Sequence, residues 1–347
     1  MCYKINETYS NIETMSVDTG VGSCCVDGVV RCSLDKLEQL RKSSQTTTAE
    51  KLRKRARSKY VSTLLTQRLI ELDSPNKERY IKSLSCATIL KHRDGKITSK
   101  YCGSRWCMVC NKIRTGKYIN LYAPVLAKWS KTYLVTLTLP NCTGDLIGTT
   151  LDLMGKTIRS ITDVFRKRSF QFMAVRKLEI TYNEVTDSYH PHYHFIVEGE
   201  LQANALKNEW LKRVKTAVDD AQDVSEFDGN LKEIFKYVTK LFSKDKRTKE
   251  YKKVNVKSLD IILRALHGKR TLQNYGFTLS EDIFEDDEII LDESLDEGEF
   301  SENIISEYQW YGSGWVNKST GYILSSYDLS ENMSVILNQL GISENST

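Results

Sequence analysis

The sequence predicts an α+β fold built on an antiparallel sheet, and three observations carry the prediction. The stretch KTYLVTLTLP alternates apolar and polar residues, as a half-buried strand does. RKLEITYN and HPHYHFIV repeat that alternation as a pair, joined by the short polar stretch NEVTDS. Runs with apolar residues at helical spacing separate and follow these strands. The order strand, helix, strand hairpin, helix, helix fits an antiparallel sheet with helices packed against it.

The elements follow in chain order. Residues 1–48 are polar, rich in Ser and Thr, and hold no lasting period, the signature of a disordered segment. KLRKRARSK at 51–59 holds six basic residues in nine positions. It reads as a DNA-contacting arm or as the charged face of a helix, and residues 1–60 are grouped as a basic arm. Residues 61–120 form a Cys-rich element and 121–278 the main domain. In the first strand, Tyr133, Val135, Leu137 and Leu139 alternate with Thr132, Leu134, Thr136 and Thr138, and Pro140 and Asn141 close it. Leu151, Met154, Ile158, Ile161 and Phe165 mark a helix over 150–168. Strands over about 172–182 and 190–198 precede helices over 203–219 and 230–243. An acidic linker at 279–303 leads to a small aromatic piece, YQWYGSGW, within 304–347.

Charge is unevenly spread. Residues 281–302 carry twelve acidic groups and no basic one, so a formal net charge of +5 for the whole chain leaves +17 on the remainder. A body so basic suits a polyanionic partner. The first residues, MCYKINETYS, hold no apolar leader, and no run of about 20 apolar residues is present. The expectation is a cytoplasmic protein without a membrane partner. In a reducing compartment, spaced cysteines bind metal more often than they form disulfides.

Cys102, Cys107 and Cys110 lie in KYCGSRWCMVCNKIRTGK, with Cys86 sixteen residues earlier. The C-x2-C pair lets two sulfurs reach one ion, and Zn²⁺ takes four such ligands in a tetrahedron. The three later cysteines are the surer ligands, with Cys86 the candidate fourth. A structural zinc element facing DNA is expected, flanked by Arg105, Lys112, Arg114 and Lys117.

His190, His192 and His194 fall at alternate positions of one strand and so share a face, with Tyr193, Phe195 and Val197 on the other. On the preceding strand Lys177, Glu179 and Thr181 face the histidines. A symmetric closure of the hairpin pairs residues whose numbers sum to about 373, which sets Glu179 opposite His194. Two imidazoles and a carboxylate make a mixed site suited to Mn²⁺ or Mg²⁺. In LKEIFKYVTKLF, Glu233, Tyr237 and Lys240 fall on one helix face. A free tyrosine is a weak nucleophile at neutral pH, and a nearby metal and the Lys240 ammonium would favour its phenolate. The tripeptide Gly155-Lys156-Thr157 is not a phosphate-binding loop, because Thr150 stands where such a loop needs glycine.

Taken in order, CGSRWCMVC, YLVTLTLPN, RKLEITYN with HPHYHFIV, and EIFKYVTK resemble the His-hydrophobe-His endonucleases, specifically the single-tyrosine rolling-circle replication initiators of plasmids and phages. GKRTLQNYG at 268–276 looks like the segment that follows the tyrosine in that family, and the resemblance spans about 84–278. It implies a sheet of about five antiparallel strands with helices on one face and the tyrosine helix against the metal-bearing face. It implies His192 and His194 as ligands, Tyr237 as nucleophile and Glu233 as the residue that activates water in a closing step. The implied activity is nicking of origin DNA, single-stranded or in a hairpin, through a 5′-phosphotyrosine link. Host helicase and polymerase are implied partners, and a homo-oligomer is compatible. Tyr193 departs from the family, where an aliphatic residue is commoner. Mobilisation relaxases and transposases share the chemistry, and a non-catalytic zinc-bearing DNA-binding regulator is the alternative from another class.

Overall fold

The computed structural model describes residues 48–93, 96–235, 254–279, 293–294, 306–312 and 314–326. Helices α1 (Thr48–Ile70) and α2 (Lys77–Ser83) lead into strands β1 (Ile89–Arg93) and β2 (Lys96–Ser99), then helix α3 (Met108–Leu126). Next come β3 (Thr132–Thr138), α4 (Ile147–Lys167), the hairpin β4 (Ala174–Asn183) and β5 (Ser188–Glu198), α5 (Glu200–Arg213) and β6 (Asp223–Glu226). The short helix α6 (Leu231–Phe235), α7 (Val256–Ala265) and β7 (Leu272–Tyr275) follow, and then β8 (Glu293–Ser294), β9 (Ser306–Tyr311), β10 (Gly314–Asn317) and β11 (Ile323–Ser326).

Two antiparallel sheets result. One runs β6-β3-β5-β4-β7 and the other β11-β10-β9-β1-β2-β8. The first is the expected five-stranded sheet. Its core face receives the apolar stripe of α4 (Ile147, Leu151, Met154, Ile158, Ile161, Phe165), with Trp210 of α5 and Ile262 of α7. Tyr193 fills its core position, sealed from solvent, with the Arg176 guanidinium 4.6 Å above its ring.

Helices cover both faces, not one. Tyr122 and Leu126 of α3, with Leu231, Ile234 and Phe235 of α6, pack on Val175, Ile196 and Leu272 of the opposite face. On that face Ile196 continues the row of His190, His192 and His194, and Val175 continues the row of Lys177 and Glu179, because side chains alternate along a strand. Apolar residues at one end of the face seat the helices and leave the polar end to the histidines.

Four further expectations are corrected. Residues 48–60 are not a disordered arm but the first half of α1. Leu52, Ala56, Val61, Leu65 and Leu69 recur at helical spacing and are buried, a stripe that the dense charge between them conceals. The hairpin pairs residues summing to 371, with Glu179 opposite His192 and Lys177 opposite His194, because four residues separate the closing pair Asn183 and Ser188. The helix placed at 203–219 stops at Arg213, and Asp223–Glu226 then form the edge strand β6, too short and polar to show a period. The aromatic C-terminal piece is no separate segment. Its β9 pairs with β1, Tyr308 opposite Leu90, and its Trp315 is fully buried and donates its indole N–H to the Ala87 carbonyl. Of the acidic linker, Glu293 and Ser294 pair with Ile97 and Lys96, and the rest lies outside the described residues.

Candidate functional site

The polar end of the five-stranded sheet gathers side chains from three adjacent strands. Cross-strand pairing puts His192 between Glu179 of β4 and Thr138 of β3, and His194 between Lys177 and Thr136. The Glu179 Oε2 atom lies 3.3 Å from His192 Nε2 and 3.2 Å from His194 Nε2. Its other oxygen lies 3.3 Å from the buried Lys177 ammonium, so one oxygen faces the histidines while the second is held away. Burial works against ionisation of Glu179, but hydrogen bonds from both histidines and the Lys177 charge hold its carboxyl well below the usual carboxylate range.

Each histidine is oriented from behind. His192 Nδ1 meets the His190 carbonyl oxygen at 3.0 Å, and His194 Nδ1 meets the Thr136 hydroxyl at 3.1 Å. A ligating imidazole uses one nitrogen and anchors the other in this way, which fixes tautomer and ring angle. One ligand atom each from Glu179, His192 and His194 lies within 4.8 Å of the others, so the three can hold one metal ion. His190 is drawn aside. Its Nε2 pairs with Thr138 Oγ1 at 2.7 Å and its Nδ1 with Asn141 Oδ1 at 2.9 Å. His194 is the most exposed of the three, which leaves an open side for a substrate. Thr136→Val should weaken Mn²⁺ binding by roughly 10–100-fold, the usual cost of losing such an outer partner. Calorimetric titration with Mn²⁺ measures this, and an unchanged affinity would show that the Thr136 contact is incidental.

The four cysteines form a second group. Cys86 follows α2, Cys102 lies in the loop after β2, Cys107 caps α3 and Cys110 lies in its first turn. Sulfur separations are 3.5 Å for Cys86–Cys110, 3.6 Å for Cys86–Cys107 and 3.7 Å for Cys102–Cys110. With Zn–S bonds of about 2.3 Å, the edge of a ZnS₄ tetrahedron is about 3.8 Å, so the spacing fits a metal. It is far too long for disulfides, whose bond is about 2.05 Å. Mutual hydrogen bonds pull the Cys102 thiol below its ordinary range and push Cys86 and Cys107 above theirs. A divalent cation removes that conflict by favouring the thiolate at all four. Cys86, the least certain ligand from spacing, stands in the group on equal terms. The residue after it, Ala87, takes a left-handed φ of 53°, as Gly103 after Cys102 does at 64°. Both turns aim backbone and sulfur inward.

This lobe is fastened to the histidine-bearing sheet. The Arg105 guanidinium, between Cys102 and Cys107, donates to the carbonyls of Leu266 and Lys269 just after α7. Asp260 of α7 accepts from Ser74 and Tyr80 in a buried cluster.

Residues 96–322, well over half of the chain, match the family model described as replication protein, Rep_1. The chain belongs to the Rep_1 family of replication proteins. The match begins at β2 and ends before β11, so it covers the whole five-stranded sheet and β2, β8, β9 and β10 of the other, and it runs past residue 278, where the sequence resemblance ends. No curated protein and no solved structure matches this Rep_1 chain. None of its described helices is long and apolar enough to cross a membrane.

Of the remaining candidate residues in this Rep_1 protein, Glu233 lies within α6, while Tyr237 and Lys240 lie outside the described residues. Phe235, two residues before Tyr237 in sequence, packs its ring 4.9 Å from that of Tyr122. Its carbonyl accepts from the Thr115 hydroxyl at 3.0 Å. The chain therefore leaves α6 on the face that carries His192 and His194. Sequence reasoning gave no role to Thr136 or Asn141. Their contacts depend on how β3 meets β5, which no local pattern encodes.

Proposed function

We propose that this protein starts rolling-circle replication of a plasmid or phage by nicking one strand of origin DNA as a His-hydrophobe-His endonuclease. The observation that carries this reading is the convergence of Glu179, His192 and His194 on one face of the sheet, beside the helix that leads to Tyr237. A divalent ion such as Mg²⁺ or Mn²⁺ bound there supplies positive charge to a phosphate oxygen and orients the scissile group. His192 and His194 present their Nε2 atoms, and Glu179 contributes the anionic oxygen. The Tyr237 phenolate attacks phosphorus in line. One bond forms, from its oxygen to phosphorus. One breaks, from phosphorus to the 3′ oxygen, which takes up a proton and leaves as a hydroxyl that can prime synthesis. The Lys240 ammonium favours the phenolate and offsets charge on the attacked phosphate. One phosphodiester is exchanged for another, so no nucleotide energy source is required. Strand separation falls to a separate helicase.

The direct test mixes purified protein with an origin oligonucleotide, single-stranded or in a hairpin, with and without added Mn²⁺. The expected result is a metal-dependent covalent adduct on the 5′ end of the cleaved strand. Binding without any cleavage would instead support a zinc-bearing regulator.

Glu233 has a distinct place in this scheme. After the first cut Tyr237 is occupied, and its i±3 and i±4 neighbours are Glu233, Ile234, Lys240 and Leu241, with no second tyrosine among them. A carboxylate four residues away in sequence can accept a proton from water and so end a round by hydrolysis. Glu233→Ala should form the first adduct at near-normal rate but accumulate strands longer than unit length. Loss of the first adduct in that variant would assign Glu233 to initiation.

A further inference from the structure

We infer that the junction of α1, α3 and α6 is a phosphodiester-binding site that holds the DNA backbone. The inference deepens the nicking reading and rests on DNA as the substrate. Four cations from three elements meet there: Lys54 and Arg57 of α1, Lys112 of α3 and Lys232 of α6. The Lys112 ammonium reaches the Lys54 carbonyl at 3.3 Å, so the two helices meet at this point. Arg57, Lys54 and Lys232 all lie close enough for their charges to act on Lys112, and among the described residues the charges so acting are all positive. Lys54, Lys112 and Lys232 are exposed and Arg57 is half-buried, so the group faces solvent and can be reached by a ligand.

A cluster of cations raises the local positive potential and draws in anions. The packing that gathers the cations is not incidental. Leu52 and Ala56 of α1 are buried against Cys107, Cys110 and Ile113, which sets the register of α1 on α3. The hydrogen bond from Thr115 to Phe235 sets α6 on α3 one turn beyond Lys112. The cations therefore stand on helices that pack against one another. A row of such charges suits the repeating phosphates of a strand better than a single small anion. Its place matters as well. Lys232 lies on α6, whose Ile234 and Phe235 pack on the sheet face that carries His192 and His194, so a strand seated on the junction can continue toward that face. The Cys-rich lobe then acts in substrate binding through α1 and α3, and its metal group holds that half of the site in position.

The test is the salt dependence of binding to a fluorescein-labelled single-stranded oligonucleotide of unrelated sequence, read by anisotropy without added Mn²⁺ or Mg²⁺. Each phosphate contact contributes about 0.7 to the slope of log K against log salt for a single strand. The triple variant R57Q/K112Q/K232Q should reduce the slope by about 2 and weaken binding at low salt at least tenfold, scaling from the same counterion release. The charge-conserving R57K/K112R/K232R should keep the slope. Melting curves and zinc content of both variants confirm folding. If the neutral triple variant does not fold, Lys232→Gln alone, at an exposed position, should lower the slope by about 0.7. An unchanged slope in the folded neutral variants overturns the site. An unchanged slope with normal nicking removes this site alone, whereas a reduced slope without any Mn²⁺-dependent nicking removes the catalytic reading alone.

Discussion

Replacing Tyr237 by phenylalanine should abolish the covalent protein–DNA adduct and leave DNA binding intact. The substitution removes one oxygen, the atom that bonds to phosphorus, and keeps the ring. Removing the nucleophile from a covalent mechanism costs on the order of 10⁴–10⁶ in rate. No adduct should therefore be visible on a denaturing gel at any Mn²⁺ concentration. Affinity for the oligonucleotide should change little, because phosphate contacts such as those offered by Arg57, Lys112 and Lys232 do not involve the phenol oxygen. An undiminished adduct in this variant would move the nucleophile elsewhere, with Tyr251 the next tyrosine in the chain.

The second large effect is expected from the cysteines. Cys107→Ser should lower the melting temperature by about 5 °C or more and reduce bound zinc, measured by scanning calorimetry and elemental analysis. A structural zinc site contributes about 10–16 kcal/mol of apparent binding free energy in small zinc domains, and that energy is folding energy. Losing one of four ligands forfeits several kcal/mol of it. In a chain of 347 residues each kcal/mol shifts the melting temperature by roughly 1–2 °C. Cys107 is placed where the loss spreads. It is buried, it caps α3, and its neighbour Met108 donates its backbone N–H to Ser62 of α1. Protein purified without chelator that contains no zinc, or a variant that melts with the wild type, would count against a structural metal.

Much of the site was legible because its signals are local. The alternation in HPHYHFIV depends only on the period of a strand, and it placed His190, His192 and His194 on one face. The row of Lys177 and Glu179 followed from the same rule. The register did not follow, since it is set by the four residues between Asn183 and Ser188, where Asp187 takes a positive φ of 44°. The two-residue slip moved Glu179 from His194 to His192, yet the carboxylate still reaches both rings. A slip of one residue would have turned it to the core. Helix α1 was obscured for a different reason. Its basic residues dominate the composition of 51–59, and the apolar positions between them show their role only against α3. The six-stranded sheet was the least accessible. Its pairing of β1 with β9 joins residues more than 200 positions apart, and each strand alone is too short to indicate a partner.

That long-range pairing has a consequence for how the protein is made. A ribosome delivers α1, α2, β1 and all four metal-binding cysteines early, and β9 to β11 last. The histidine-bearing sheet needs only residues up to β7, so it can close while the cysteine lobe still lacks its far strands. During that interval β1 presents an unpaired edge, and Leu90, later sealed beneath the C-terminal hairpin, faces water. Bare strand edges attract other strands. Zinc captured early by Cys86, Cys102, Cys107 and Cys110 would hold β1 and β2 in shape until their partners arrive, so that the ion serves first as an assembly aid during synthesis and only later as a fixed part of the finished molecule.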